Sequence, residues 1–279
     1  MKLLFKVMAM RMKSYRLFYF VLAGVGLYAL YGCFSPQNTY LNALFDSQIG
    51  VITKQVADGS LLSLFPALLI GLSVFVSSFL GTEYADGTLR NTLLSGHSRL
   101  RIYLSALFFC TLVGIVLLLL GMLLNLLVRL LMGGTFVIPL PVTLFYTLTA
   151  CCAVLALTSL LVFLAMLNHN MTVNIALSRL LVLALYVLTS KISGLVSSGF
   201  IYIAGYEITL PQNSRQILEF FLDFLPTGQA LRHINVAMVD CHYADQSFAL
   251  HWEWPIYSIA FTLLFTGAGT ALFAKKNLK

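Results

Sequence analysis

Few residues of this 279-residue sequence have types and spacings that chemistry could use. Asp240, His242, Asp245, His251 and Glu253 carry the carboxylate oxygens and imidazole nitrogens that ligate metals. Their irregular spacing fits a solvated loop, and no metal is expected there. No His-Glu-x-x-His, Cys-x-x-Cys or Gly-Lys occurs, so neither a zinc-hydrolase helix nor a phosphate-binding loop is encoded. Leu94-Ser95-Gly96-His97 imitates the start of an ATPase signature but lacks its second Gly and its Gln. No catalytic residue is assigned, and no cofactor is expected on this chain. Lys191 is the one charge that could fall deep inside an apolar run, where ionisable groups usually mark function, and it is a candidate path residue. The most informative stretch is residues 81–99. Glu83 closes an apolar run, Gly87-Thr88-Leu89-Arg90 begins a turn or two of helix through Leu93, Gly96 stops it, and Ser98-Arg99 follows. Such a stretch forms a short amphipathic helix across a membrane face, or a charged connecting loop. Charge alone does not separate the two.

The elements that position these residues are apolar helices. Hydrophobic residues make up 59% of the chain and charged residues 10%, against about 25% charged in soluble domains. Mean hydropathy is +0.91. A soluble enzyme, a disordered tail and a disulfide scaffold are excluded. A hydrocarbon core of about 30 Å takes about 20 apolar helical residues to cross. Runs at 17–34, 61–80, 102–132, 142–167, 173–203 and 255–273 give six spans in one all-α domain, 1–279. The third run is long enough to tilt or project beyond the bilayer. The fifth has two readings. It stops by Ser193, leaving Lys191 as an anchor, or it continues to Ala204 as a broken helix through Ser190, Lys191 and Gly194, putting Lys191 mid-membrane.

Orientation follows from Lys and Arg. With the N-terminus cytoplasmic, 12 of the 17 basic residues lie inside, Arg179 among them; Lys54, Arg129, Lys191, Arg215 and Arg232 lie outside. Both termini are then cytoplasmic. The net charge of +7 belongs to a rim facing anionic lipid, and no nucleic-acid partner is expected. Arg129 and Arg179 are read as span-end residues that snorkel. Leu30-Tyr31-Gly32-Cys33 loosely imitates a lipoprotein signal, but its Tyr fits poorly and five further spans follow. Of five cysteines, only Cys33 and Cys241 could meet outside.

Residues 2–16 form an amphipathic interfacial helix with Lys2, Lys6, Lys13 and Arg16 on one side. Arg11 falls on its apolar side, where the pattern gives it no place. Residues 35–60 read as a polar outer loop, and residues 205–253 as a larger external helical loop. Within the latter Arg215–Leu225 is strongly apolar, Pro226 breaks the chain, and a second helical piece follows from Gln229. Phe220, Phe221, Phe224 and Pro226 are expected to form an external lid dipping between the spans, with Glu219 and Asp223 turned to water or headgroups. Small-residue rows at i, i+4 (Ser73, Ser77, Gly81; Ser258, Thr262, Thr266, Thr270) suit close helix packing, with a polar path lining as the competing reading.

The 81–99 stretch resembles the Glu-x-x-x-Gly-Thr-Leu-Arg … Leu-Leu-Ser … Ser-Arg pattern of permease subunits of ABC exporters of the second type. The likeness extends to the interfacial N-terminal helix, six spans, both ends inside and a broken external helix before span six. His97 stands where that family more often has Pro. The resemblance implies that Glu83, Gly87, Thr88, Leu89, Arg90, Leu93 and Arg99 couple to a separate ATPase, present in two copies and itself holding ATP and Mg. It also implies a second permease chain, same or homologous, and a bacterial plasma-membrane location. Six spans without ion-coupling carboxylates or a visible inverted repeat have no proton or sodium chemistry of their own. The apolar spans and outer helix favour an amphipathic peptide, lipid or drug as cargo. The alternatives are a secondary transporter or channel, and a structural or immunity-type membrane protein without an ATPase partner.

Overall fold

The computed structural model describes residues 2–34, 64–131, 140–168, 170–203, 206–239 and 250–276. The expected outer loop 35–60, the Gly133-Gly134 connection, Cys241 and the Asp240–Asp245 part of the acidic and histidine run lie outside the described residues. The helices are α1 (Lys2–Ser14), α2 (Arg16–Phe34), α3 (Phe65–Ala85), α4 (Thr88–Leu94), α5 (Arg99–Leu131), α6 (Leu140–Leu167) and α7 (Met171–Ser198). A hairpin of β1 (Phe200–Ile203) and β2 (Tyr206–Thr209) precedes α8 (Gln212–Phe224), α9 (Pro226–Val239) and α10 (Glu253–Lys275). Among the described residues five helices, α3, α5, α6, α7 and α10, are long and apolar enough to cross a membrane. The chain is a helical, multi-pass type of membrane protein.

α3 lies at the centre, touching α2, α5, α6 and α7, while α6 packs against α5 and α10. Its buried face (Phe65, Leu68, Leu72, Phe75, Phe79) carries much of the core, and Phe75, Phe79 and Phe109 stack at 5.5 and 5.4 Å. The small-residue row on α3 serves packing. A methyl group added at Gly81 would sit 2.9 Å from Met171 Cγ, and Asn174 Nδ2 donates to the Ser77 carbonyl at 2.9 Å. Close approach lets a buried amide on α7 reach the α3 backbone. α2 runs antiparallel to α3 through the same thickness. Tyr15 meets Phe79, Phe18 meets Phe75, Gly71 faces Val21, and Asn125 of α5 donates to the Ala29 carbonyl.

The fifth apolar run differs from expectation. α7 is unbroken through Ser190, Lys191 and Gly194 and stops at Ser198, so neither a stop by Ser193 nor a broken helix to 203 is correct. Gly199 closes it with φ +71°, a left-handed conformation that glycine adopts without strain, and its N–H donates to the Leu195 carbonyl. The following Phe-Ile-Tyr-Ile and Tyr-Glu-Ile-Thr are β-branched and aromatic, and pair as an antiparallel hairpin with Ile201 opposite Ile208. The segment 205–253 therefore opens with a strand. Beyond it the break between α8 and α9 falls where proline dictates: Leu225 is extended (φ −83°, ψ 133°) and Pro226 is the first residue of α9.

Candidate functional site

At one end of the bundle, called here the terminal end, α1, the loop 86–98 and the C-termini of α3, α6 and α10 converge. Glu83 lies in the last turn of α3, nearly buried. Arg11 Nη1 donates to both its carboxylate oxygens at 2.8 Å, and Thr88 Oγ1 lies 2.5 Å from Oε2. Arg11, which had no place in the amphipathic pattern, thus pins α1 to the start of α4. Gly87 turns the chain between α3 and α4 with φ +66°, and Gly96 turns it after α4 with φ +85°. Arg99 Nη1 donates to the carbonyls of Phe273 (3.1 Å), Ala274 (3.0 Å) and Lys276, capping α10 with a cation where the helix dipole favours one. Lys276 Nζ in turn donates to the Met166 and Leu167 carbonyls at 2.8 and 2.9 Å and sits 4.7 Å over the Tyr84 ring. Burial pulls its ammonium down to about 8, against the favourable pull of those carbonyls.

The seven expected coupling residues divide in two. Glu83, Thr88, Leu89 and Arg99 are engaged within the chain, Leu89 being buried, while Gly87 makes the turn and Leu93 packs on the core. Of the seven, Arg90 is the one turned fully outward. Asn91 and Leu94 join it, and Leu94 is 76% exposed, a large apolar side chain with nothing over it. Sequence reading missed Leu94 as a contact residue, although Leu93-Leu94 on a seven-residue helix puts one leucine inward and one outward.

At the opposite end, the α8–α9 corner inserts into the bundle. Leu222, Pro226, Thr227, Gly228, Gln229, Ala230 and His233 are buried. A Cβ on Gly228 would strike the Leu222 backbone, so the corner closes only with glycine there. Phe224 packs on Phe261 and Tyr257, but Phe220 and Phe221 are about half exposed, and Phe221 lies near Phe220. Asp223 does not turn to water as expected. Its carboxylate is 3.3 Å from Arg232 Nε, at ion-pair distance without hydrogen-bond alignment. Burial raises its pKa, opposed by Arg232 and His251.

Beneath the corner lies a polar centre that sequence reading did not find. His233 is fully buried, with Nδ1 2.6 Å from the Gln229 carbonyl and Nε2 2.6 Å from Thr149 Oγ1. Gln229 Nε2 donates to the carbonyls of Asp223 (2.7 Å) and Trp254 (3.1 Å), and its Oε1 accepts from Ser258 at 2.8 Å. Nδ1 can only donate to a carbonyl, so with the ring neutral Nε2 takes the Thr149 proton, for which the Tyr146 carbonyl, 2.8 Å from Oγ1, competes. Burial pushes its pKa down to about 4. Ser258, read as one of a small-residue row, ties α10 to α9.

Lys191 is exposed. The α3–α7 contacts at Met171–Gly81 and Asn174–Ser77 place it beyond the start of α3, at the end of the bundle opposite the terminal end and not midway along it. No family model matches the sequence, and no curated protein matches it significantly. Among the described residues no group of three or more metal-ligating side chains comes together.

Proposed function

We propose that this chain is the membrane subunit of an ATP-driven exporter of the ABC second type, coupling through α4 to a separate cytoplasmic ATPase. The observation that carries the reading is α4 itself. It is clamped at its start by Arg11–Glu83–Thr88, and the segment after it by Arg99 on α10, yet its outer side, Arg90, Asn91 and Leu94, is uncovered. A short helix so fixed passes a push at its exposed face into α1, α3, α5 and α10. Glu83, Thr88 and Arg99 transmit force in this reading, while Arg90 and Leu94 touch the partner. The terminal end is then cytoplasmic. α1 and the end of α10 both lie there, which needs an even number of passes between them, and α2 supplies the sixth. A second permease chain completes the path, and the α8–α9 corner is its outer lid.

The test is to look for a soluble ATPase encoded beside this chain and to co-express the two. Arg90→Glu and Leu94→Asp insert normally but lose the co-purifying ATPase, because a like charge or a desolvated carboxylate at an interface costs several kcal/mol. Retention of the ATPase and of cargo-stimulated hydrolysis in both variants would remove α4 from the interface.

A further inference from the structure

We infer that Lys276 is the positioning residue that carries movement of the α4 segment into α6, and through α6 to the α8–α9 corner at the far end of the bundle. This rests on the coupling reading of α4. Among the described residues, the clamps made by Glu83, Thr88 and Arg99 include no bond to α6. Lys276 supplies one. It is the first residue after α10, and its carbonyl accepts from Arg99 Nη1. Its Nζ donates to the Met166 and Leu167 carbonyls in the last turn of α6. The Tyr84 hydroxyl, from the last turn of α3, donates to the same Met166 carbonyl at 2.7 Å. The last four carbonyls of a helix have no partner within it, and the negative end of its dipole draws a cation. Arg99 and Lys276 thus join the start of α5 to the end of α10, and the end of α10 to the end of α6. Both side chains are half-buried, so these bonds can be made and released without repacking the core.

α6 is suited to pass the movement on. Of the five long apolar helices it alone contains no glycine, and its one proline, Pro141, is its second residue. A helix without an internal glycine or proline lacks the commonest kink points. Its buried residues run from Phe145 to Met166, and it packs against α3, α5 and α10 along that length. Towards its other end Thr149 Oγ1 meets His233 Nε2 at 2.6 Å. The Tyr146 ring lies 5.9 Å from that of His233 and 6.1 Å from that of Trp254. From Met166 to Thr149 the helix rises about 26 Å, at about 1.5 Å per residue. The corner therefore rests, through His233, on a stiff helix whose opposite end is held by Lys276. A shift of the α5 start moves Arg99, the end of α10, Lys276 and the end of α6 in turn, and α6 delivers it beneath the corner.

The complex with the ATPase, in nanodiscs, tests it. A bimane fluorophore is attached at Ser98→Cys, ahead of Arg99, or at Phe221→Cys on the corner, and the unsubstituted chain gives the background. MgATP with vanadate is then added. With Lys276 in place both probes should change their emission. Lys276→Met removes the charge and keeps the alkyl chain. The ATPase should still co-purify with it and the Ser98 probe still respond. The response at 221 should fall about fivefold or more, the scale of coupling between distant sites. Lys276→Arg, which keeps a cation before the same carbonyls, should restore most of it. A residue needed only for folding would weaken both probes alike. The relay is overturned by an undiminished response at 221 in Lys276→Met, by equal losses at both probes, or by a silent 221 probe with Lys276 in place. Lys276→Arg behaving like Lys276→Met would also overturn it, as would loss of the ATPase from Lys276→Met, which would make Lys276 a docking residue. An ATPase that does not co-purify with the parent chain, or a silent Ser98 probe there, sinks the exporter reading and the relay with it.

Discussion

Acid should loosen the α8–α9 corner through His233. In water an imidazole titrates near 6.5, whereas burial holds His233 down at about 4. The docked state therefore keeps the ring neutral while the undocked state takes up a proton below pH 6.5. Stability contributed by the neutral ring is fully present above pH 6.5 and falls as pH drops toward about 4. The loss is about 2 kcal/mol by pH 5 and about 3 kcal/mol below pH 4, at 1.36 kcal/mol per unit. The site reports on itself, because the chain's only two tryptophans are Trp252 and Trp254, and the His233 ring is 5.0 Å from Trp254. Tryptophan emission during denaturant unfolding, repeated from pH 7.5 to 4.5, gives the slope. His233→Gln should flatten that slope while lowering stability at pH 7.5, since the ring also packs on Phe65 and Tyr146. His251 is stacked 4.8 Å from Trp254, and His251→Gln is the control that should keep the slope. A parent protein equally stable at pH 7 and 5, or a slope surviving in His233→Gln, would refute the buried neutral imidazole.

Other substitutions follow from the same geometry. A double-mutant cycle of Arg11→Ala and Glu83→Ala should give about 1–2 kcal/mol of coupling. That is below the 3–5 kcal/mol of a fully buried pair, because the Arg11 side chain is 41% exposed; coupling near zero by denaturant unfolding would detach α1 from the α3–α4 turn. Gly228→Ala should destabilise the α8–α9 corner by about 1–3 kcal/mol through its clash with the Leu222 backbone. Gly194→Ala, with open space around it in an exposed helix, should instead gain about 0.5–1 kcal/mol. The reverse order in thermal shift would contradict the register of both helices. Leu222→Ala should cost about 2–5 kcal/mol, whereas Phe221→Ala, half exposed, should cost far less in the isolated chain. A large loss from Phe221→Ala only in the assembled complex would mark residue 221 as covered by a second chain.

The sequence by itself determined the helical membrane class, the helix bounds to within a few residues, and the short helix after Gly87. Each of these is a local property: an apolar run long enough to span, a glycine that takes positive φ, a proline that starts a helix. The break at Leu225–Pro226 was legible for the same reason. The tertiary structure decided what depends on which helix faces which, and in what register. Arg11 looked misplaced until α1 lay beside the last turn of α3, 72 residues away in sequence. Arg99 reads as a surface charge in a line of sequence but caps the last turn of a helix, bonding a carbonyl 175 residues later. His233 had no motif around it, because Thr149 reaches it from α6 and Gln229 from its own helix, while Ser258 of α10 holds Gln229. Of the two depths open to Lys191, the one beyond the start of α3 was decided once α7 was registered against α3. Hydropathy counts residues along one helix, whereas depth in a bundle is set by the neighbour it crosses.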